Sequence, residues 1–172
     1  MTRTGYRASQ FLQALFAQPA ADDARLAAEY LPPALQPLYH GMNRAEQSHS
    51  LAVLRSLLRQ GQADPDLLAA ALLHDVGKTR APLRLFDRIL VVLAQRLAPA
   101  VAQAWGKGAP RGWRRPFVVA ARHADWGGEI LEQAGASPRL VVMVRRHHAA
   151  QPLRGTEAGR LLAALQTADG SH

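Results

Sequence analysis

Ala70-Ala71-Leu72-Leu73-His74-Asp75-Val76-Gly77-Lys78 ends an apolar run in two adjacent metal-ligating side chains, a glycine and a cation. From Leu67 to Leu73 no side chain is polar, which suits a helix buried on every side. Asp64-Pro65 ahead of it supplies an N-cap and a first-turn proline. The pattern predicts a helix through Asp75, with Gly77 able to terminate it. A His-Asp pair at a buried helix end needs partners, because an unpaired polar or charged group is costly in an apolar interior.

Outward from this stretch, nearly every segment has helix boundaries. Residues 8–17 and 22–30 are two short candidates, followed by the breaker Leu31-Pro32-Pro33. Asn43-Arg44-Ala45-Glu46 has the form of an N-cap with an acid three residues on, and Glu46 reads as a capping residue. That helix runs to about Gln60 and stops at Gly61. Another follows Pro82 and ends near Pro99, before a Gly- and Pro-containing loop over 105–115. Pro116 starts a helix carrying His123, Ser137-Pro138 repeats the cap-plus-proline device ahead of His147-His148, and Thr156 caps a last helix ending at Asp169. The β-branched stretches 89–92 and 141–144 lie inside longer helical segments. The expected fold is therefore all-α, a single-domain bundle of about seven or eight helices. Residues 1–34 read as an N-terminal helical extension packed on a core of residues 35–172.

Composition narrows the chemistry. A length of 172 residues fits one domain with a real core. There is no cysteine, which excludes disulfides, thiolate zinc sites and cysteine nucleophiles, so any metal must be held by His and carboxylates. Residues 1–10 lack the apolar core of a secretion signal, and a cytoplasmic location is the expectation. The net charge of +8, from 21 basic and 13 acidic residues, favours anionic partners. No dense basic run with interleaved aromatics points to specific nucleic-acid binding. The apolar stretch 83–98 contains Arg84, Asp87, Arg88 and Arg96 and is no membrane span. A buried helix is the expectation there, ahead of a basic amphipathic helix making peripheral contact with an anionic membrane.

Divalent metals without thiolates need neutral imidazoles and ionised carboxylates converging from several elements. His49, His74, Asp75, His123, His147, His148 and Asp169 each lie in or at the end of a predicted helix. The Asp75 carboxylate has two oxygens and could bridge two metals. Taken singly, each of these residues also fits an ordinary inner or surface role; the ordered set is what argues for a metal centre. His40 and His172 fit nothing. Lys78 and Lys107 are the only lysines in an arginine-rich chain. Lys78 reads as a compact phosphate contact, ahead of a helix C-terminal cation. Arg80, Arg84, Arg114, Arg115 and Arg122 are candidates for the mouth of such a site. Gly77-Lys78-Thr79 looks like the end of a P-loop, but Leu72 stands where that motif needs glycine.

The order His49, His74-Asp75, His123, His147-His148, Asp169 resembles the HD-domain metal-dependent phosphohydrolase superfamily, closest to its HD-GYP branch, over residues 35–169. The resemblance implies a binuclear centre of two divalent ions such as Fe, Mn or Mg. His49, His74, Asp75 and Asp169 would hold one, and Asp75, His123 and His147 or His148 the second. Lys78 would contact a substrate phosphate or assist the leaving group, making Asp75 and Lys78 the catalytic pair. The implied substrate is a small phosphorylated molecule, a nucleotide or related phosphomonoester or diester. The sequence departs from the branch in lacking Gly-Tyr-Pro after the His pair, where it reads Ala149-Ala150-Gln151-Pro152-Leu153-Arg154-Gly155. Ala45 also replaces the acid that would support a third metal, so two ions are expected. A di-iron oxygenase on the same ligands and a non-catalytic nucleotide-binding module are the alternatives.

Overall fold

The computed structural model describes residues 21–149 and 155–171, and the helix expected at 8–17 lies outside them. Nine α-helices and two 3-10 turns make up the described chain, with no strand among the described residues. In order they are α1 (Ala21–Tyr30), α2 (Gln36–His40), α3 (Arg44–Arg59), α4 (Pro65–Leu73), α5 (Leu85–Leu97), α6 (Pro99–Trp105), α7 (Arg115–Gln133), α8 (Pro138–Arg146) and α9 (Glu157–Asp169). The 3-10 turns are Val76–Arg80 and Gly112–Arg114. The all-α expectation holds. The short α2 and α6 bring the number above the seven or eight expected, because a helix of one or two turns carries too little periodicity to read.

The apolar helix α4 is the axis of the bundle, and Leu67 to Leu73 are all buried. Side chains from α3, α8 and α9 surround it, and Ala27, Leu31 and Leu35 from the N-terminal side join the same core. Asp64 caps it by accepting from the Leu67 amide at 3.0 Å. α8 is built the same way: Ser137 accepts from the Leu140 amide at 3.1 Å and Pro138 opens the first turn. The two helix starts are tied together. Arg139 reaches Asp64 at 2.8 Å and Asp66 at 2.7 Å, while the Ser137 hydroxyl donates to Asp66 at 2.8 Å.

Three expectations are corrected. First, α4 ends at Leu73 rather than Asp75, with His74 as its C-cap and Asp75 as the hinge into the 3-10 turn. Gly77 lies inside that turn and is not among the left-handed glycines. It is required by proximity: a Cβ there would sit 1.9 Å from the His123 carbonyl oxygen and 2.6 Å from the Gly127 amide nitrogen of α7. Second, Glu46 is no capping residue. Its amide donates to Asn43, but the residue is 2% exposed and its carboxylate pairs with Arg88 at 2.7 Å. Third, the stretch 83–98 is not a buried helix: α5 buries Val91 and exposes Phe86, Ile89, Leu90, Leu93 and Leu97.

Candidate metal centre

α4 and α8 deliver their histidines identically. In each, the histidine at the C-cap stands ten positions after the capping side chain, Asp64 to His74 and Ser137 to His147. The last carbonyls of a helix lack intrahelical partners, and each imidazole uses one three residues back. His74 Nδ1 donates to the Ala71 carbonyl at 3.0 Å, and His147 Nδ1 donates to the Val144 carbonyl at 2.6 Å. On α7, His123 Nδ1 faces the Val119 and Ala120 carbonyls at 3.1 and 3.0 Å. A carbonyl only accepts, so in all three rings the proton is on Nδ1 and the Nε2 lone pair points into the site.

These lone pairs converge in two groups. His49, His74 and Asp169 bring ligand atoms within 4.8 Å of one another, and so do His123, His147 and His148. His49 Nε2 lies 2.9 Å from Asp169 Oδ1 and 3.3 Å from His74 Nε2. Asp75 stands between the groups: its Oδ2 is 3.7 Å from His74 Nε2, and its Oδ1 is 3.4 Å from His123 Nε2 and 4.0 Å from His147 Nε2. Lys78 Nζ donates to Asp75 Oδ2 at 2.5 Å. All seven expected ligands and Lys78 thus come together. His40 does not join them and stacks on Tyr39, and His172 lies outside the described residues.

The electrostatics suit cations. Burial pushes the His74 imidazole down, and burial with His74 and His148 nearby pushes His147 well down, so both are neutral near pH 7. Burial alone would raise Asp75, but the Lys78 ammonium beside it holds it well below the carboxylate range. Asp169 is likewise lowered against its burial, chiefly by the hydrogen bond from His49. His123 Nε2, His147 Nε2 and an Asp75 oxygen converge within 4.0 Å of one another while each ring commits its Nδ1 to a backbone carbonyl, a donor set that fits a divalent cation.

The centre opens into a cavity of about 780 Å³. His49, Asp75, His123 and His148 line its inner end, and Lys78, Glu46 and Arg88 add charge. Leu83, Val91, Phe117 and Ala120 give an apolar wall. None of the five arginines expected at the mouth lines this cavity. Arg80 pairs with Glu129, Arg115 donates to the Pro82 carbonyl, and Arg114 and Arg122 cover Trp113 and Trp126. Arg88 and Glu46 are the residues missed. Arg88, Val91, Val92 and Gln95 follow the i, i+3, i+4, i+7 spacing of one helix face, which was a legible sign that Arg88 shares the cavity wall. The stretch after Ala149 where Gly-Tyr-Pro is missing lies, up to Arg154, outside the described residues.

A family model described as HD domain matches residues 47–172, a span that holds all seven candidate ligands and the Val76–Arg80 turn. Neither a curated protein nor a solved structure matches the chain.

Proposed function

The chain belongs to the HD-domain family, and on that premise we propose that it is a metal-dependent phosphohydrolase with a binuclear centre, acting on a nucleotide or a related phosphomonoester or diester. HD domains bind divalent metals and are mostly phosphohydrolases, and this chain retains two His/Asp groups able to hold such ions. The observation that carries the reading is Asp75, one carboxylate with an oxygen toward each histidine group.

In this reading His49, His74 and Asp169 would hold one ion and His123, His147 and His148 the other, with Asp75 able to offer an oxygen to each. Two such ions would lower the pKa of a water and offset charge on the phosphate oxygens. The chain's own contributions are orientation and binding. The Ala71, Val144, Val119 and Ala120 carbonyls fix the rings before any ion arrives. Lys78, held at the cavity side of Asp75, is placed to take a phosphate oxygen or meet the leaving group. Val91, Phe117 and Leu83 exclude water from one wall and accept the organic part of the substrate.

Metal analysis of the purified protein, followed by a panel from a generic phosphodiester through nucleotides to cyclic dinucleotides, tests this. Metal-dependent turnover that disappears in Asp75→Ala is the expected result. A wild type that carries no metal and behaves like Asp75→Ala across the panel overturns it.

A further inference from the structure

Residues 83–115 form a surface unit unlike the rest of the described residues. Of the large apolar side chains exposed among the described residues, all but Val142 lie here. On α5, Phe86, Leu90, Leu93 and Leu97 recur at i, i+4, i+7 and i+11 with Ile89 alongside, one continuous apolar stripe. Phe86 and Leu97 at its two ends are 83% and 82% exposed. The opposite face holds the helix in place: Val91 packs with Ala102 and Phe117, and Trp105 and Ala94 join them. Trp113, 62% exposed, stacks edge-on against Trp105 and Phe117 and so extends the unit.

The charge of the same unit is one-sided. It carries Arg84, Arg88, Arg96, Lys107, Arg111 and the Arg114-Arg115 pair, with Asp87 its only acid. Arg88 is tied to Glu46, and Asp87 is turned back on the Arg84 amide at 2.9 Å. Arg84, Arg96, Lys107, Arg111 and Arg114 make no ion pair among the described residues. A unit that combines an exposed apolar helix stripe with unpaired cations and an exposed tryptophan has the composition of a segment lying in a bilayer interface. α5 has 13 residues, about 20 Å of helix at 1.5 Å per residue, too short to cross a bilayer and long enough to lie along one. A second copy of the chain docked stripe to stripe would bring the same unpaired arginines together across a two-fold axis, with one acid each to offset them.

We propose that α5 and the 105–115 loop dock this protein onto the surface of an anionic lipid bilayer, with Phe86, Leu90, Leu93 and Leu97 entering the interface and Arg96, Lys107, Arg111 and Arg114 facing the headgroups. The docking is independent of the phosphohydrolase reading. Its only link to that site is that the inner face of α5 forms a cavity wall.

The test is sedimentation of the full chain with phosphatidylcholine vesicles, with and without phosphatidylglycerol. Binding is expected only to the anionic vesicles and is expected to weaken steeply with added salt. Leu90→Asp/Leu93→Asp, both exposed and so compatible with folding, abolishes it while leaving thermal unfolding unchanged. Arg96→Gln weakens it about fivefold, and Arg96→Gln/Arg111→Gln about 25-fold. No binding to either vesicle, equal binding to neutral vesicles, or unchanged binding by Leu90→Asp/Leu93→Asp overturns the proposal. So does a concentration-dependent dimer that this double substitution dissociates, which would assign the stripe to a second copy.

Discussion

Gly77→Ala is the substitution through which the fold and the metal centre can be tested together. The added Cβ would sit 1.9 Å from the His123 carbonyl oxygen and 2.6 Å from the Gly127 nitrogen, both backbone atoms of α7. No rotamer relieves a clash with backbone. The 3-10 turn and α7 must part by about 1 Å before the first contact reaches the 3.0 Å floor seen for real Cβ atoms. Both sides belong to a close-packed interior that resists such a shift. Overpacking of this kind costs about 2–3 kcal/mol, or roughly 5–10 °C in Tm for a chain of this length. The displacement acts directly on the site, because the turn follows Asp75 and the opposing carbonyl belongs to His123, and their side chains are 3.4 Å apart. Metal affinity is expected to drop by roughly 10-fold or more, the scale seen when ligand support is lost.

Thermal unfolding of the metal-free protein and titration with Mn²⁺ read the two effects separately. Gly41→Ala is the control, since its Cβ meets nothing closer than 3.4 Å, whereas a Cβ at Gly128 would press on the Arg145 stem at 2.3 Å. If Gly77→Ala unfolds and binds metal like Gly41→Ala, the turn does not set the distance between Asp75 and α7.

Other outcomes follow from the same structure. Asp75→Asn keeps the shape of the side chain and removes the charge shared by both histidine groups; metal analysis is expected to show loss of bound metal and, with it, of phosphoester turnover. Chelation of the metal-loaded protein lowers Tm and re-addition restores it, since an ion bound only by the native site stabilises that state. The metal-free protein is expected to lose stability from pH 7 to pH 5: His74 and His147 are lowered in the native state, so below about pH 6.5 the unfolded chain takes up protons that the native chain refuses. Urea midpoints across that range check the sign, and a midpoint that rises on acidification contradicts it. Arg88→Met leaves the Glu46 carboxylate buried without its partner, at a cost of about 3 kcal/mol at neutral pH. Because burial already raises Glu46, the deficit should shrink as acid protonates it, and Glu46→Gln/Arg88→Met should recover most of the loss.

Much of the molecule was legible because its signals are local. The caps at Asn43, Asp64, Ser137 and Thr156 and the prolines after two of them are read within four residues, and each opens a helix in the structure. The apolar run before His74 had to be interior because none of its side chains can face water favourably. The order of imidazoles and carboxylates was legible as well, since each occupies a helix or a helix end whose start is marked.

What the sequence left open depends on contacts between distant residues. Glu46 carries the spacing of a capping acid, and only the approach of Arg88 from α5 draws its carboxylate into the cavity. Gly77 has the position of a helix terminator, yet its requirement comes from the backbone of α7, a neighbour some fifty residues away in the chain. The helix α5 is apolar enough to be buried, but α6 and α7 cover only its Val91 side. Sequence alone determined which side chains can hold a metal and on which helices they ride. Tertiary structure decided that Asp75 lies between two groups of them and that one apolar face stays uncovered, because both depend on how close packed helices come, which no local pattern encodes.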